Sequence, residues 1–256
     1  MANLTLWNQV KHLKSAEYQW IDLTHALSPD TPHWYGFAPL EEALLFDYAP
    51  DTPPDKLAPM RSFQYSVAGQ YGTHVDVPSH FIDGGRDMDA ISPRELVYPL
   101  VVLDFSAACA ENPDFLLTVD HLKTWEAEFG RIPEGAFVAF RSDWYKRKNL
   151  DNPDENGVPH YPGWDASTIQ WLVEERNIGA IGHEPADTDP GFITTRENAY
   201  PYPGERYILS QNRIQIEVLC HLDQVPPVGA VMFCAFPRLK GGTGFPARCF
   251  AVYPTA

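Results

Sequence analysis

The sequence predicts one α/β domain with a mixed β-sheet and helices packed outside it. The chain has 256 residues, a length at the top of the single-domain range. Short apolar runs of the kind that form strands outnumber the segments with helical spacing. The two types follow each other without the strict βαβ alternation of a purely parallel sheet. Residues 1–256 are therefore expected to form a single domain.

Short apolar runs predict the strands. Most of them are rich in β-branched or aromatic residues, which favour extended structure. These runs are 18–23, 100–105, 136–140, 178–181, 214–219, 230–236 and 248–252. A further strand-like run, 62–68, leads into a polar segment that begins at Gln70.

Two helices are predicted from their ends and their periodicity. The segment 118–129 has Thr118 as a plausible N-cap and ends before Gly130. The segment 165–177 carries apolar residues at helical spacing, namely Ile169, Leu172 and Val173. A third helix at 93–96 is expected to be short.

Proline is frequent, with 24 residues, so many stiff loops are expected. The longest loop-like stretches are 49–59, 149–163 and 184–205. Loops of this length in a compact domain are usually functional or mobile.

The charge and the apolar pattern exclude several classes of partner. The formal net charge is −15, which argues against nucleic acid because phosphate binding needs a basic patch. It also disfavours an anionic membrane surface. No run of about 18 apolar residues is present, so no membrane span is expected. Residues 1–14 lack the apolar core of a signal peptide, and the predicted location is cytoplasmic.

The four cysteines are expected to be reduced core residues. None of them forms a CxxC pair, so a zinc knuckle or thioredoxin-type motif is not supported. Most lie in apolar runs, where a free cysteine packs as a small hydrophobic residue.

The densest group of metal-binding side chains runs from Gln70 to His80. In extended chain, residues i and i+2 face the same side, so His74 and Asp76 are expected to point at one divalent ion. An imidazole with a carboxylate suits zinc, manganese or iron(II). Pro78 ends the strand ladder, which lets His80 return over the same space. The alternative is that each histidine is a hydrogen-bonded polar group near a strand end.

The segment 72–81, Gly-Thr-His-Val-Asp-Val-Pro-Ser-His-Phe, resembles the HxGTHxDxPxHF signature of the cyclase family of metal-dependent hydrolases. This family includes bacterial kynurenine formamidase and isatin hydrolase. Further segments similar to the family are 20–25, 99–104, 216–219 and 244–248. The resemblance therefore extends over most of the chain, from about Trp20 to Tyr253.

The resemblance implies a fold, a site and an assembly. The fold is an α/β domain with a small barrel-like β core and outer helices, and the assembly is a homodimer or homotetramer. His74, Asp76 and Glu217 match metal ligands of the family. His80 matches the residue that acts as general acid and base.

The chain departs from the family pattern at two positions. Gln70 stands where the family has its first motif histidine, and it is a candidate metal ligand that offers a neutral oxygen in place of an imidazole nitrogen. A later family histidine, about a dozen residues before Glu217, falls near Glu205 or Arg206. One divalent ion, manganese or zinc, is therefore expected rather than two.

A replacement ligand for the missing imidazole is expected among the remaining histidines. His183 follows a short apolar strand and either supplies this ligand or hydrogen-bonds a loop carbonyl. His221 is a second candidate, since its strand parity matches Glu217. A bend after Leu219 would turn His221 away.

The predicted function is a metal-dependent hydrolase that opens a small cyclic or aryl amide, or a lactone, with metal-activated water. The first alternative is a metal-dependent cyclase or dehydratase acting on a keto or polyketide-like substrate. The second is a non-catalytic family member. A serine hydrolase is not supported, because no Gly-x-Ser-x-Gly elbow occurs in the sequence.

The expected partner is a small-molecule substrate. His25, His33 and Trp34 cluster near the start of the chain and form either a wall of the substrate pocket or ordinary packing. Pockets for small molecules are mostly apolar with few polar groups, so an aromatic wall suits one.

Overall fold

The computed structural model describes residues 5–48, 60–194 and 201–255. The predicted loop 49–59 and part of the predicted loop 184–205 lie outside these residues. The strands are β1 (Tyr18–Asp22), β2 (Glu41–Phe46), β3 (Ser62–Ser66), β4 (His74–Asp76), β5 (Val97–Asp104), β6 (Leu116–Leu117), β7 (Phe137–Arg141), β8 (Gly163–Trp164), β9 (Ala180–His183), β10 (Ile214–Glu217), β11 (Ala230–Ala235), β12 (Gly244–Pro246) and β13 (Arg248–Pro254).

The helices are short. They are α1 (Thr5–Leu13), α2 (Ser106–Glu111), α3 (Val119–Phe129), α4 (Ala166–Arg176), α5 (Gly191–Thr194) and α6 (Pro203–Ser210). Short 3₁₀ turns connect other elements, including Pro78–His80 and Pro93–Leu96. Within the part of the chain that the structure describes, no helix has the length and apolar character needed to cross a membrane.

Nine of the strands form one mixed sheet in the order β1-β13-β11-β5-β7-β9-β10-β4-β12. The central strands β5, β7, β9 and β10 are parallel to one another. The strands on both sides of this centre pair antiparallel. Strands β2 and β3 form a separate antiparallel pair between β1 and β4 in the chain.

The two faces of the large sheet bury different cores. One core takes most of its residues from strands, among them Val75, Ile216 and Cys249, because the curved sheet packs against itself as a half-barrel. The other core lies under helices α3, α4 and α6, where Trp125 and Leu172 contact the opposite sheet face. The predicted α/β fold with a barrel-like β core and outer helices is confirmed.

Most predicted elements are present with ends shifted by one to three residues. The predicted helices 118–129 and 165–177 are found as α3 and α4, and 93–96 is a 3₁₀ turn. Helix α6 was missed, because it lies at the end of a stretch predicted as loop. Pro203 at its first turn is a signal that favours a helix start there.

All four cysteines are buried and free of disulfides, as predicted. Burial raises the pKa of the Cys220 thiol to about 12, and it raises the pKa of Cys109 further. Since the thiolate is the reactive form, the native protein is expected to react slowly with a thiol reagent. A colorimetric thiol assay should register almost no fast reaction before denaturation and four thiols after it. Rapid labelling of native protein would contradict this packing.

Candidate metal centre

The polar face of the site is produced by the pairing of β4 with β10. In this antiparallel pair Glu217 lies opposite His74, and Gln215 lies opposite Asp76. Alternate residues of a strand face opposite sides. Val75 and Ile216 consequently enter the half-barrel core, while the four polar side chains share the face that carries α6. The family resemblance predicts His74, Asp76 and Glu217 at this site, and the strand pairing adds Gln215.

His74 lies between two carboxylates. Its Nε2 is 3.3 Å from Asp76 Oδ2 and 3.4 Å from Glu217 Oε2. Its Nδ1 is 2.8 Å from the Gly72 carbonyl oxygen and donates to it. Gly72 has a φ of +63°, a left-handed conformation that glycine adopts without strain. This hydrogen bond places the proton on Nδ1 and leaves Nε2 as the atom available to a metal.

His80 reaches the same centre from the 3₁₀ turn that Pro78 begins. Its Nε2 lies 3.9 Å from Asp76 Oδ1 and 3.9 Å from Glu205 Oε1. The side chain is 29% exposed, whereas Asp76 is buried. His80 therefore borders both the carboxylates and the open space above them.

Helix α6 and the loop before it bring further carboxylates. Glu205, on the first turn of α6, is buried beside His80, and the loop after β9 contributes Asp187. Asp189 accepts hydrogen bonds from the backbone N–H groups of Gly204 and Glu205, and so fixes the start of the helix. The position predicted to lack a family histidine thus holds a buried glutamate within the site.

Three overlapping groups of metal-type ligands result. Among the described residues they are His74–Asp76–Glu217, Asp76–His80–Glu205 and Asp187–Glu205–Glu217. In each group the candidate ligand atoms lie within 4.8 Å of one another. Asp76 and Glu205 each belong to two groups, as does Glu217, so the three form one continuous centre.

The centre holds more buried negative charge than its histidines balance. Burial, together with the charge of Glu217, raises the pKa of both Glu205 and Asp187 well above the ordinary range. Although burial opposes ionisation of Glu217, hydrogen bonds from His183 and His74 lower its pKa to about 2. Likewise burial opposes protonation of His74, but Asp76 and Glu217 raise its pKa well above the ordinary value.

These residues fit a divalent cation. Asp76 Oδ1 is buried and has no hydrogen-bond partner among the described residues, which is costly for a carboxylate oxygen unless a cation satisfies it. The donor atoms are imidazole nitrogen and carboxylate oxygen, the set that manganese and zinc accept. A cation would also relieve the repulsion among the buried carboxylates.

Metal is therefore expected to stabilise the folded protein. A cation at 100 times its dissociation constant adds about 2.7 kcal/mol if it binds only the native state. For a chain of this size that corresponds to a rise of about 5–10 °C in Tm. Differential scanning calorimetry of chelator-stripped protein, with and without Mn²⁺, measures this shift. An unchanged Tm with Mn²⁺ and with Zn²⁺ would contradict it.

The other candidate ligands are placed less centrally. Gln70 borders the cavity, and its Nε2 is 3.4 Å from His80 Nδ1 and 3.3 Å from Thr243 Oγ1. His183 Nε2 is 3.3 Å from Glu217 Oε1. Strand β9 pairs with the edge of β10 that is opposite β4. His183 therefore approaches Glu217 Oε1, not the Oε2 that faces His74, and it joins none of the three ligand groups.

His221 does not enter the centre. Its Nδ1 lies 2.8 Å from the Asp22 carbonyl oxygen, and its ring packs against Tyr145. Strand β10 ends at Glu217, and Val218 has a φ of +54°. The chain bends there, so the strand parity that would have turned His221 toward the site is lost.

An aromatic cavity of about 210 Å³ opens over the centre. Its apolar walls are Trp34, Phe37, Phe81 and Tyr202, and its floor includes His74, His80 and Glu217. Of the predicted aromatic cluster only Trp34 lines this cavity. His25 Nδ1 donates a hydrogen bond to the Val218 carbonyl oxygen, and His33 stacks on Tyr71.

Comparison with known proteins identifies relatives along the chain. The family model described as "Putative cyclase" matches residues 21–190. Isatin hydrolase of Roseibium aggregatum is 34% identical over 263 aligned residues, which cover 95% of this chain and 95% of that protein. These matches extend far beyond the motif 72–81.

Solved structures agree with this result. Isatin hydrolase A from Ralstonia solanacearum has a TM-score of 0.88 at 33% identity, with 99% of this chain and 98% of that chain covered. The crystal structure of an isatin hydrolase bound to the product analogue thioisatinate has a TM-score of 0.87 at 31% identity and covers both chains fully.

Proposed function

Because this chain belongs to the cyclase family and is a metal-dependent hydrolase of amide C–N bonds, we propose that it opens the ring of a small cyclic amide fused to an aromatic ring. Isatin is such a compound, since its five-membered lactam is fused to benzene. The observation that carries the proposal is the aromatic cavity over His74, His80 and Glu217.

The cavity suits a flat, compact substrate. Its volume of about 210 Å³ is small, and aromatic rings line most of its wall. Trp34 packs edge-on against Phe37, and Phe81 packs edge-on against Tyr202, so the walls are supported by their own contacts. A bicyclic lactam that stacks between them would direct its amide carbonyl toward the charged floor.

We propose that His74, Asp76 and Glu217 hold one divalent cation. The cation would lower the pKa of water and polarise the amide carbonyl. Carboxylates outnumber imidazoles at the centre, which favours manganese over zinc because manganese prefers oxygen ligands. Gln70 and His183 support the centre through His80 and Glu217 rather than as principal ligands.

His80 is proposed as the general base and acid. Its Nε2 faces the buried carboxylates, and its partial exposure gives it access to the cavity. It would accept a proton from the attacking water and return it to the leaving nitrogen when the C–N bond breaks. The neighbouring Asp76 and Glu205 carboxylates would stabilise the imidazolium between these two transfers.

The test is a substrate panel with Mn²⁺-loaded protein. Isatin, oxindole, phthalide and N-formylaniline represent an activated lactam, a plain lactam, a lactone and an aryl amide. Mass spectrometry should detect a product heavier than isatin by one water, with isatin turned over faster than the other three. Turnover of a keto substrate without added water would instead support the cyclase or dehydratase alternative. No turnover of any panel member by metal-loaded protein would oppose the proposal.

We also propose that the chain is a homodimer or homotetramer. Helix α1 exposes Leu6 at 73% and Trp7 at 68%, and Phe46 of β2 is 60% exposed. An interface between copies of the chain would bury large apolar side chains that are exposed in this way. Light scattering coupled to size-exclusion chromatography measures the mass directly, and a monomer at micromolar concentration would oppose the assignment. The cytoplasmic location stays a prediction.

A further inference from the structure

Gln215 lies at the junction of three carboxylates of the metal centre and is fully buried. Its Nε2 is 2.9 Å from Glu205 Oε1, 3.1 Å from Glu217 Oε1 and 3.3 Å from Asp76 Oδ2. An amide nitrogen carries two hydrogens, so it serves two of these oxygens at a time. No other donor side chain among the described residues is recorded with hydrogen bonds to all three carboxylates.

Thr188 fixes the orientation of the Gln215 amide. The Thr188 hydroxyl donates to Gln215 Oε1 at 2.7 Å, and Thr188 is itself buried. The reversed amide would point its oxygen at three carboxylate oxygens and its nitrogen at the hydroxyl. Carboxylates only accept hydrogen bonds, so they select the orientation in which the nitrogen faces them, and the Thr188 hydroxyl holds that orientation by its bond to the amide oxygen.

The Gln215 amide contacts one oxygen of each carboxylate and leaves the second oxygen of Glu217 and of Asp76 outside its contacts. Glu217 Oε1 contacts Gln215 and His183, while Glu217 Oε2 faces His74. Asp76 Oδ2 contacts both Gln215 and His74, while Asp76 Oδ1 is buried and has no hydrogen-bond partner among the described residues. The amide is neutral, so it orders these carboxylates without cancelling the charge that attracts a cation.

We propose that Gln215, held in place by Thr188, is a positioning residue that aims Asp76, Glu205 and Glu217 at a common divalent cation. This inference rests on the proposed function, because it assigns the cation to the same centre. Partners that orient metal ligands typically contribute about 10–100-fold to metal affinity. Gln215 and Thr188 are expected to act within this range.

Two variants remove the interaction in different ways. Gln215→Leu keeps much of the side-chain volume and removes the amide, so Mn²⁺ affinity should fall at least tenfold. Thr188→Val keeps the shape of the side chain and removes the hydroxyl, so affinity should fall several-fold. Thr188→Ser retains the hydroxyl and should restore affinity close to that of the wild type. Gln170→Leu makes the same change on the exposed face of α4 and is the matched control.

The measurement is isothermal titration of chelator-stripped full-length protein with Mn²⁺ alone, with circular dichroism to verify folding. The expected order of affinity is wild type, Gln170→Leu and Thr188→Ser together, then Thr188→Val, then Gln215→Leu. If Gln215→Leu does not fold, the comparison of Thr188→Val with Thr188→Ser decides. Equal affinities in that comparison would overturn the inference while leaving the proposed function intact. Absence of Mn²⁺ binding by the wild type would instead overturn the proposed function.

Discussion

Replacing His80 with alanine is expected to lower turnover about 10²–10⁴-fold, the usual contribution of a positioned general acid–base group. The reason is its place between the buried carboxylates and the cavity, with Nε2 3.9 Å from both Asp76 and Glu205. His74, Asp76 and Glu217 do not depend on His80 for their contacts. Metal content should therefore stay close to that of the wild type. The assay is initial-rate kinetics on isatin together with elemental analysis of the same preparation.

His160→Ala provides the matched control for this variant. The His160 side chain is 30% exposed, as against 29% for His80, and it also contacts an aspartate, Asp114. It is not part of the cavity lining. Turnover by this control should be unchanged. Full activity of His80→Ala would refute the catalytic role, and loss of its metal would show that His80 is mainly a ligand.

Replacing His74 with alanine is expected to remove the bound metal. His74 Nε2 lies between Asp76 and Glu217 and is the imidazole of the group that these carboxylates complete. Its loss leaves only carboxylates at that position, and their mutual repulsion would no longer be offset by the histidine. Elemental analysis should give close to one metal per chain for the wild type and almost none for the variant, with turnover lost in parallel.

The His183→Ala variant tests whether His183 is itself a metal ligand or only supports the ligand Glu217. His183 contacts Glu217 Oε1, whereas His74 faces Glu217 Oε2, so this variant should keep metal and bind it about 10–100-fold more weakly. If His183→Ala instead loses metal completely while His74→Ala retains it, the two assignments are reversed. If neither variant changes metal content, the cation does not lie on His74, Asp76 and Glu217.

The relative positions of the motif side chains could be predicted from the sequence because they depend only on local backbone geometry. His74 and Asp76 are two residues apart in a strand, so any extended conformation turns them to one side. Pro78 ends the strand by its own covalent structure, and His80 follows within one turn. The strands and helices were predictable for the same reason, since their apolar spacing repeats over a few residues.

The other residues of the centre are brought together by contacts between segments that are separated in the sequence. Glu205 carries no local signal of a site, and it becomes a site residue because α6 packs over β10 and the 3₁₀ turn at Pro78. Gln215 was not singled out, since its role depends on lying opposite Asp76 in the β4–β10 pair. The bend at Val218 likewise turns His221 away from the centre. The strand order places His183 beside Glu217 Oε1, on the side away from His74.

The amino-acid sequence by itself determined the α/β class and the family resemblance, and it predicted a site around His74, Asp76, His80 and Glu217. These predictions depend on the periodicity of apolar residues and on sequence motifs, and both are present in the sequence without any knowledge of the tertiary structure. Tertiary structure alone decided which carboxylates meet, which oxygens stay open and which aromatic rings enclose the cavity. Several of these contacts join residues far apart in the chain, as between Asp76 and Gln215, and that contact follows from strand register rather than from any local pattern.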